Sequence, residues 1–213
     1  MKKLSLIFVS VVATLACCSI SQASITNAWW VDNGSGALVC STWTYLGDSL
    51  SMSGVQHSTT VPGKMLGWVQ TSDPSDPTLT LGSAVNNDSG QAWIGYQVDV
   101  VMINPFTFVA PGPSVSNPLP NDWSVASVIA PTLQVGGTYD GKYLGTINYA
   151  GGTQVAVGDE LDYVYSIHFT GSSSYSFTQE AIPQIAPVPE PSTITLLAIG
   201  GLAFAMRLRR NRR

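Results

Sequence analysis

Trp93-Ile94-Gly95-Tyr96-Gln97-Val98-Asp99-Val100-Val101 is the stretch that decides the fold class. Steps of two gather Trp93, Gly95, Gln97, Asp99 and Val101 on one side and Ile94, Tyr96, Val98 and Val100 on the other, which is the period of a β-strand. The second set is the expected core face. A second stretch, Leu161 to Phe169, repeats the arrangement, with Leu161, Tyr163, Tyr165, Ile167 and Phe169 on one face and Asp162, Val164, Ser166 and His168 on the other. Such alternation suits antiparallel sheets with one wet face.

Working outward, the chain from Ala37 to Phe177 is a succession of short segments rich in Val, Ile, Thr, Tyr and Trp, separated by Gly, Pro, Asn and Asp clusters. The expected strands are Leu38–Leu46, Leu50–Gln56, Leu66–Gln70, Thr78–Ser83, Ala92–Ile103, Ser124–Ala130, Tyr143–Tyr149, Leu161–Phe169 and Tyr175–Thr178. Asn86-Asn-Asp-Ser-Gly90, Asp140-Gly141 and Gly151-Gly152 carry the chemistry of tight connections. No sustained i, i+3, i+4 apolar pattern with caps occurs before the C-terminal tail, so no long helix is expected there. The fold class is therefore mainly β: an antiparallel β-sandwich, Ig-like or jelly-roll, flanked by an N-terminal signal helix and a short C-terminal transmembrane helix. Asn104 to Asp122, with five prolines, is expected to be a long loop or an edge crossing, because proline cannot donate to a central ladder. Ala181 to Pro191 is expected to be an extended stalk.

The two ends are addresses. Lys2 and Lys3, an apolar run from Leu4 to Ala16 and the small-x-small site Ser21-Gln22-Ala23 form a signal peptide, with cleavage between Ala23 and Ser24. Cys17 and Cys18 do not fit a lipoprotein signal, since Thr14 stands where Cys17 needs an aliphatic residue and Cys17 stands where Cys18 needs a small one. At the other end stand Val188-Pro189-Glu190-Pro191-Ser192, an apolar run from Ile194 to Met206, and a basic stop made of Arg207, Arg209, Arg210, Arg212 and Arg213. Pro189 and Pro191 resist helical continuation and Glu190 is costly in lipid, so a span starts near Ser192. The arginines place the C-terminus in the cytoplasm by the positive-inside rule. Motif, short span and basic tail, in this order, resemble the sorting signal of PEP-CTERM proteins. The resemblance implies export, a membrane-held intermediate facing the periplasm, and recognition by the membrane protease-transpeptidase exosortase. It also implies delivery to the cell surface or an exopolysaccharide matrix. The run Thr78 to Val101, with its Asn/Asp/Gly turn and Ala-Trp-x-Gly-Tyr, looks like a pattern in the sandwich domains such proteins carry. The expected divisions are 1–23 signal peptide, 24–180 sandwich, 181–191 stalk with motif, 192–206 transmembrane helix and 207–213 cytoplasmic tail. A permanent anchor is the alternative to processing.

Charge separates the regions further. Ser24 to Glu190 holds two lysines, no arginine and thirteen carboxylates, a formal charge of −11. Such a surface repels phosphate backbones, which excludes nucleic acid as a partner. Cys40 is the single cysteine of that region and has no disulfide partner, so burial and sheet pairing must hold the fold.

No catalytic residue, metal or cofactor is assigned, and no enzymatic activity is expected. Gly47-Asp48-Ser49-Leu50 is identical to the motif that names the GDSL esterases, in which the serine is the nucleophile. That family's Asp-x-x-His is missing, because Tyr165 stands three before His168 and Gly54 three before His57. Oxygen-rich loops at Asp73–Asp76, Asn86–Asp88 and Asp159–Asp162 could offer ligands to calcium, without EF-hand spacing. Six tryptophans, Trp29, Trp30, Trp43, Trp68, Trp93 and Trp123, leave two readings: sandwich packing, or an exposed platform for a glycan. The expected role is a non-enzymatic surface or matrix protein, with a carbohydrate-binding module as the alternative and a secreted esterase as the third reading.

Overall fold

The computed structural model of the 213-residue chain describes residues 24–72, 76–116, 122–170 and 174–187. Eleven strands form among them: β1 Ile25–Asp32, β2 Leu38–Leu46, β3 Ser49–Gln56, β4 Gly63–Thr71, β5 Thr78–Asn87, β6 Trp93–Met102, β7 Phe106–Val115, β8 Ser124–Leu133, β9 Tyr143–Val155, β10 Glu160–Phe169 and β11 Ser174–Ile185. A six-stranded sheet has the order β1-β4-β11-β6-β9-β8, and a five-stranded sheet the order β2-β3-β5-β10-β7. Every pair is antiparallel except β3 and β5, which run parallel. The second sheet is therefore mixed, a correction to the all-antiparallel expectation. The correction arises because β3 and β5 are joined through β4, which lies in the other sheet.

The two sheets face each other through their apolar sides. Leu79, Leu81 and Val85 of β5 and Leu161, Tyr163, Tyr165, Ile167 and Phe169 of β10 meet Met65 and Val69 of β4 and Tyr96, Val98 and Val100 of β6, all buried. Aromatic rings interleave across the gap. Tyr163 lies 5.6 Å from Tyr96 and 5.3 Å from Tyr149, and Phe169 lies 4.7 Å from Tyr175 between ring centroids. Gln179 of β11, fully buried, accepts from the Tyr165 hydroxyl at 2.6 Å and donates to the Tyr163 hydroxyl at 2.9 Å.

Several expectations need correction. β1 was not foreseen, because the spacing of Ala28 and Trp30 gives too short a signal to stand out; it adds an edge to the larger sheet by pairing with β4. The alternation of β6 breaks at a bulge, where Trp93 and Gly95 pair with Ile185 and Gln184 and leave Ile94 unmatched. The extra residue shifts the parity, so Trp93 enters the core beside Tyr96 at 5.2 Å while Ile94 is half-buried. Asn86–Gly90 is a crossover between sheets, since β5 and β6 do not pair. It is held by the buried Asn87 amide, which donates to Gln91 O and Val155 O. Gly151-Gly152 lies inside β9, where a side chain on Gly151 would collide with the Trp123 indole.

The proline-rich section contains β7, an edge strand paired only with β10, and its register breaks between Val164 and Ser166, opposite Pro111 and Pro113. An edge tolerates prolines because one side of the strand makes no ladder. The expected stalk begins later than Ala181, because β11 continues to Ile185 and pairs with β6 as far as Trp93. Pro183 fits there because β4 has already ended opposite Ala181, so β11 has one neighbour at that point. The expected signal peptide, the residues beyond Pro187, and with them both expected helices lie outside the described residues.

Candidate functional site

The outward face of the six-stranded sheet has the most developed surface chemistry. Strand register sets its side chains in rows. Trp29 of β1, Trp68 of β4 and Ser176 of β11 form the first. Val31, Leu66, Thr178, Val101 and Leu144 form the second. Lys64, Glu180, Asp99 and Thr146 form the third.

In the first row the Trp29 and Trp68 rings are nearly parallel, 9° apart, with centroids 6.2 Å apart, and both are half-buried. The row leads to Ile103, 71% exposed, just beyond β6, and to Lys142, just before β9. Between the rows opens a cleft of about 110 Å³ lined by Leu66, Val101, Ile103, Lys142, Ser176 and Thr178. Lys142 makes no ion pair among the described residues, whereas Lys64 is bound to Glu180.

The third row brings two carboxylates opposite each other on adjacent strands, with Glu180 4% and Asp99 7% exposed. Like charges so placed repel, and burial adds desolvation. Each is compensated by its own donors. Glu180 accepts from Lys64 Nζ at 2.8 Å and from the Tyr139 hydroxyl at 2.8 Å. Asp99 accepts from Thr146 Oγ1 at 2.6 Å and from Gln97 Nε2 at 3.0 Å. Tyr139 belongs to the β8–β9 connection, which folds over this face; burial and then the Glu180 carboxylate push its phenol well above the ordinary value. The two carboxylates at the centre of the outward face are therefore satisfied within the protein, while the Trp29 to Lys142 margin is open.

On the five-stranded sheet, the small side chains of Ser51, Gly82, Ala84 and Ser114 leave a hollow of about 290 Å³ bordered by Glu160 and Asp162. Burial and the neighbouring Asp162 raise the Glu160 carboxyl above the usual carboxylate range. No group of three or more His, Cys, Asp or Glu able to hold a metal occurs among the described residues. At Asn86–Asp88 the side chains serve the fold: Asn86 donates to Gly158 O, Asn87 accepts from Ser89, and Asp88 pairs with His57 at 3.0 Å. Asp159 Oδ2 accepts from the Ala156 amide.

Gly47-Asp48 is the two-residue turn of the β2–β3 hairpin, with Leu46 paired to Ser49 and Gly47 at φ +61°. Ser49 stands beside Thr80, which contacts Ser166, while His168 bonds Thr78 instead. His57 lies at the far end of β3. The geometry brings no histidine to Ser49. Cys40 is half-buried at a bulge against β3, its thiol donates to Thr42 O at 3.3 Å, and burial raises its pKa. Trp30, Trp93 and Trp123 are buried, whereas Trp43 is 45% exposed on the other sheet.

Ser24, the first residue after the expected cleavage site, is already bound to Ser72 just ahead of β1. Ala23, the motif Val188 to Ser192 and the five tail arginines lie outside the described residues. Their sequence nevertheless identifies the chain. Residues 187–210 match the family model described as the PEP-CTERM protein-sorting motif. The chain is a PEP-CTERM protein. No curated protein and no solved structure matches it. The PEP-CTERM signal marks the protein for export and for recognition by exosortase as a membrane-anchored sorting intermediate. It starts at Pro187, two residues after β11 ends at Ile185, so the fold of this PEP-CTERM protein adjoins its address. Sequence reasoning singled out both lysines and all six tryptophans, but the rows that align Trp29, Trp68, Ser176 and Lys142 need strand register that no local pattern supplies.

Proposed function

We propose that the chain is a non-enzymatic surface or matrix protein. In this reading the export machinery carries it across the membrane, exosortase removes its tail, and its β unit is left at the cell surface or in an exopolysaccharide or biofilm matrix. The supporting observation is the sorting-motif match that begins directly after the last strand. The unit itself reads as a β-sandwich of jelly-roll type. β4-β11-β6-β9 face β5-β10-β7, the interleaved order of that fold, with β1 and the β2–β3 hairpin added at the edges. A short apolar span after Ser192 holds the intermediate, and the five arginines keep its end in the cytoplasm.

Intact mass of the protein from cells with and without exosortase tests this reading. Loss of the tail near Pro189-Glu190-Pro191 only when exosortase is present is the expected result; the same unprocessed mass in both strains refutes it.

A second reading, carbohydrate binding, is favoured by one observation, the half-buried, nearly parallel Trp29–Trp68 pair on an outward face. Indole faces beside hydroxyl and ammonium donors suit the mixed apolar and polar character of a sugar ring.

A further inference from the structure

We propose that the open margin of the six-stranded sheet, from Trp29 and Trp68 across Ser176 to Lys142, is a binding site for a neutral saccharide. The inference rests on the carbohydrate reading above and adds a location, a length and a charge class.

Location follows from register. Trp29, Trp68 and Ser176 are cross-strand neighbours, and the cleft beside them continues over Ile103 and Thr178 to Lys142. From Trp68 on β4 to Lys142 at the start of β9 is three strand spacings, about 14 Å, the reach of about three sugar units. A sugar in this position lays its apolar face on the indoles and offers hydroxyls to Ser176, Thr178 and the Lys142 ammonium. Beyond the second row, the third row offers no free carboxylate, because Glu180 and Asp99 are engaged by Lys64, Tyr139, Gln97 and Thr146. The site is thus a margin, open lengthwise and bounded on one side.

Charge selects the class. Lys142 is one exposed ammonium, and such groups contribute little by themselves in water. Against it stands the field of a region with formal charge −11, which opposes the approach of a polyanion. A neutral chain meets no such opposition and still gains the ring faces and donors.

The full chain, purified in detergent, is titrated with cellotriose, laminaritriose and maltotriose as neutral probes and with trigalacturonate as the acidic one. Tryptophan fluorescence and calorimetry are the readouts. Expected are saturable quenching by at least one neutral trimer and binding of trigalacturonate at least tenfold weaker at low salt. Trp29→Ala and Trp68→Ala should each weaken the neutral trimer at least tenfold, Lys142→Ala a few-fold, and Trp43→Ala, on the other sheet, not at all. Trp29 lies on an edge strand, so its variant keeps the test valid where Trp68→Ala fails to fold. Equal or tighter binding of trigalacturonate overturns the neutral class while leaving carbohydrate binding standing. Binding unaffected by Trp29→Ala and Lys142→Ala overturns the site. No quenching or heat with any of the four overturns both.

Discussion

Gln179 is a polar side chain in a position that β-strand alternation assigns to the core, and it is fully buried between the sheets. Its amide accepts from Tyr165 on one side and donates to Tyr163 on the other, whose hydroxyl also lies against Ser83 and Tyr96. Replacement by leucine keeps roughly the volume and leaves two phenols short of a partner. Gln179→Leu should destabilise the fold by about 2–3 kcal/mol in urea unfolding, since orphaned buried donors cost more than the net worth of a bond. A loss below about 0.5 kcal/mol would show that the phenols find other partners. Gly67 makes the same point about context: a Cβ there would fall within the Phe177 ring, a requirement set by a residue more than a hundred positions away. By contrast, the need for glycine at Gly47 was legible in place, because a two-residue turn between alternating segments demands its positive φ.

Strands were legible where alternation was clean and uninterrupted. The core face of β10 follows directly from residue order, whereas Leu38–Leu46 was legible from its Val, Thr, Trp and Tyr content, its bulge at Cys40 leaving no alternation to read. β6 was half legible: Tyr96, Val98 and Val100 face the core as the period requires, but the bulge at Ile94 brings in Trp93 from the set assigned to the other face. A bulge is a property of two strands together and leaves no mark on one. β11 was cut short for a similar reason, since Pro183 signals a break that the ending of β4 makes harmless. Chains ending after Glu180 and after Pro187 separate these views of β11. The shorter loses Ala181 and Pro183 from the interior and the pairing with Val98, Gln97 and Tyr96, and should show no cooperative thermal transition by circular dichroism. The longer should melt cooperatively; equal melting temperatures would restore the stalk.

At the scale of the whole molecule, net charge and address dominate. Between residues 24 and 190 two lysines stand among thirteen carboxylates, one bound to Glu180 and the other at the open margin. Self-repulsion of this size is screened over a Debye length of about 10 Å at 0.1 M salt. Melting temperature of the released form should therefore rise by about 3–5 °C between 10 mM and 200 mM NaCl, and a flat response would mean that local pairing already cancels the field. The sequence by itself determined the C-terminal address, the β class, the acidity and the absence of a triad partner for Ser49 in the expected spacing. These depend on composition and short-range order, which a linear chain carries openly. Only the tertiary structure decided that β3 and β5 run parallel, that Glu180 and Asp99 share a buried row, and that Trp29, Trp68 and Lys142 lie along one margin. Each of those depends on register between strands far apart in sequence, and register is set by how the two apolar faces close on each other.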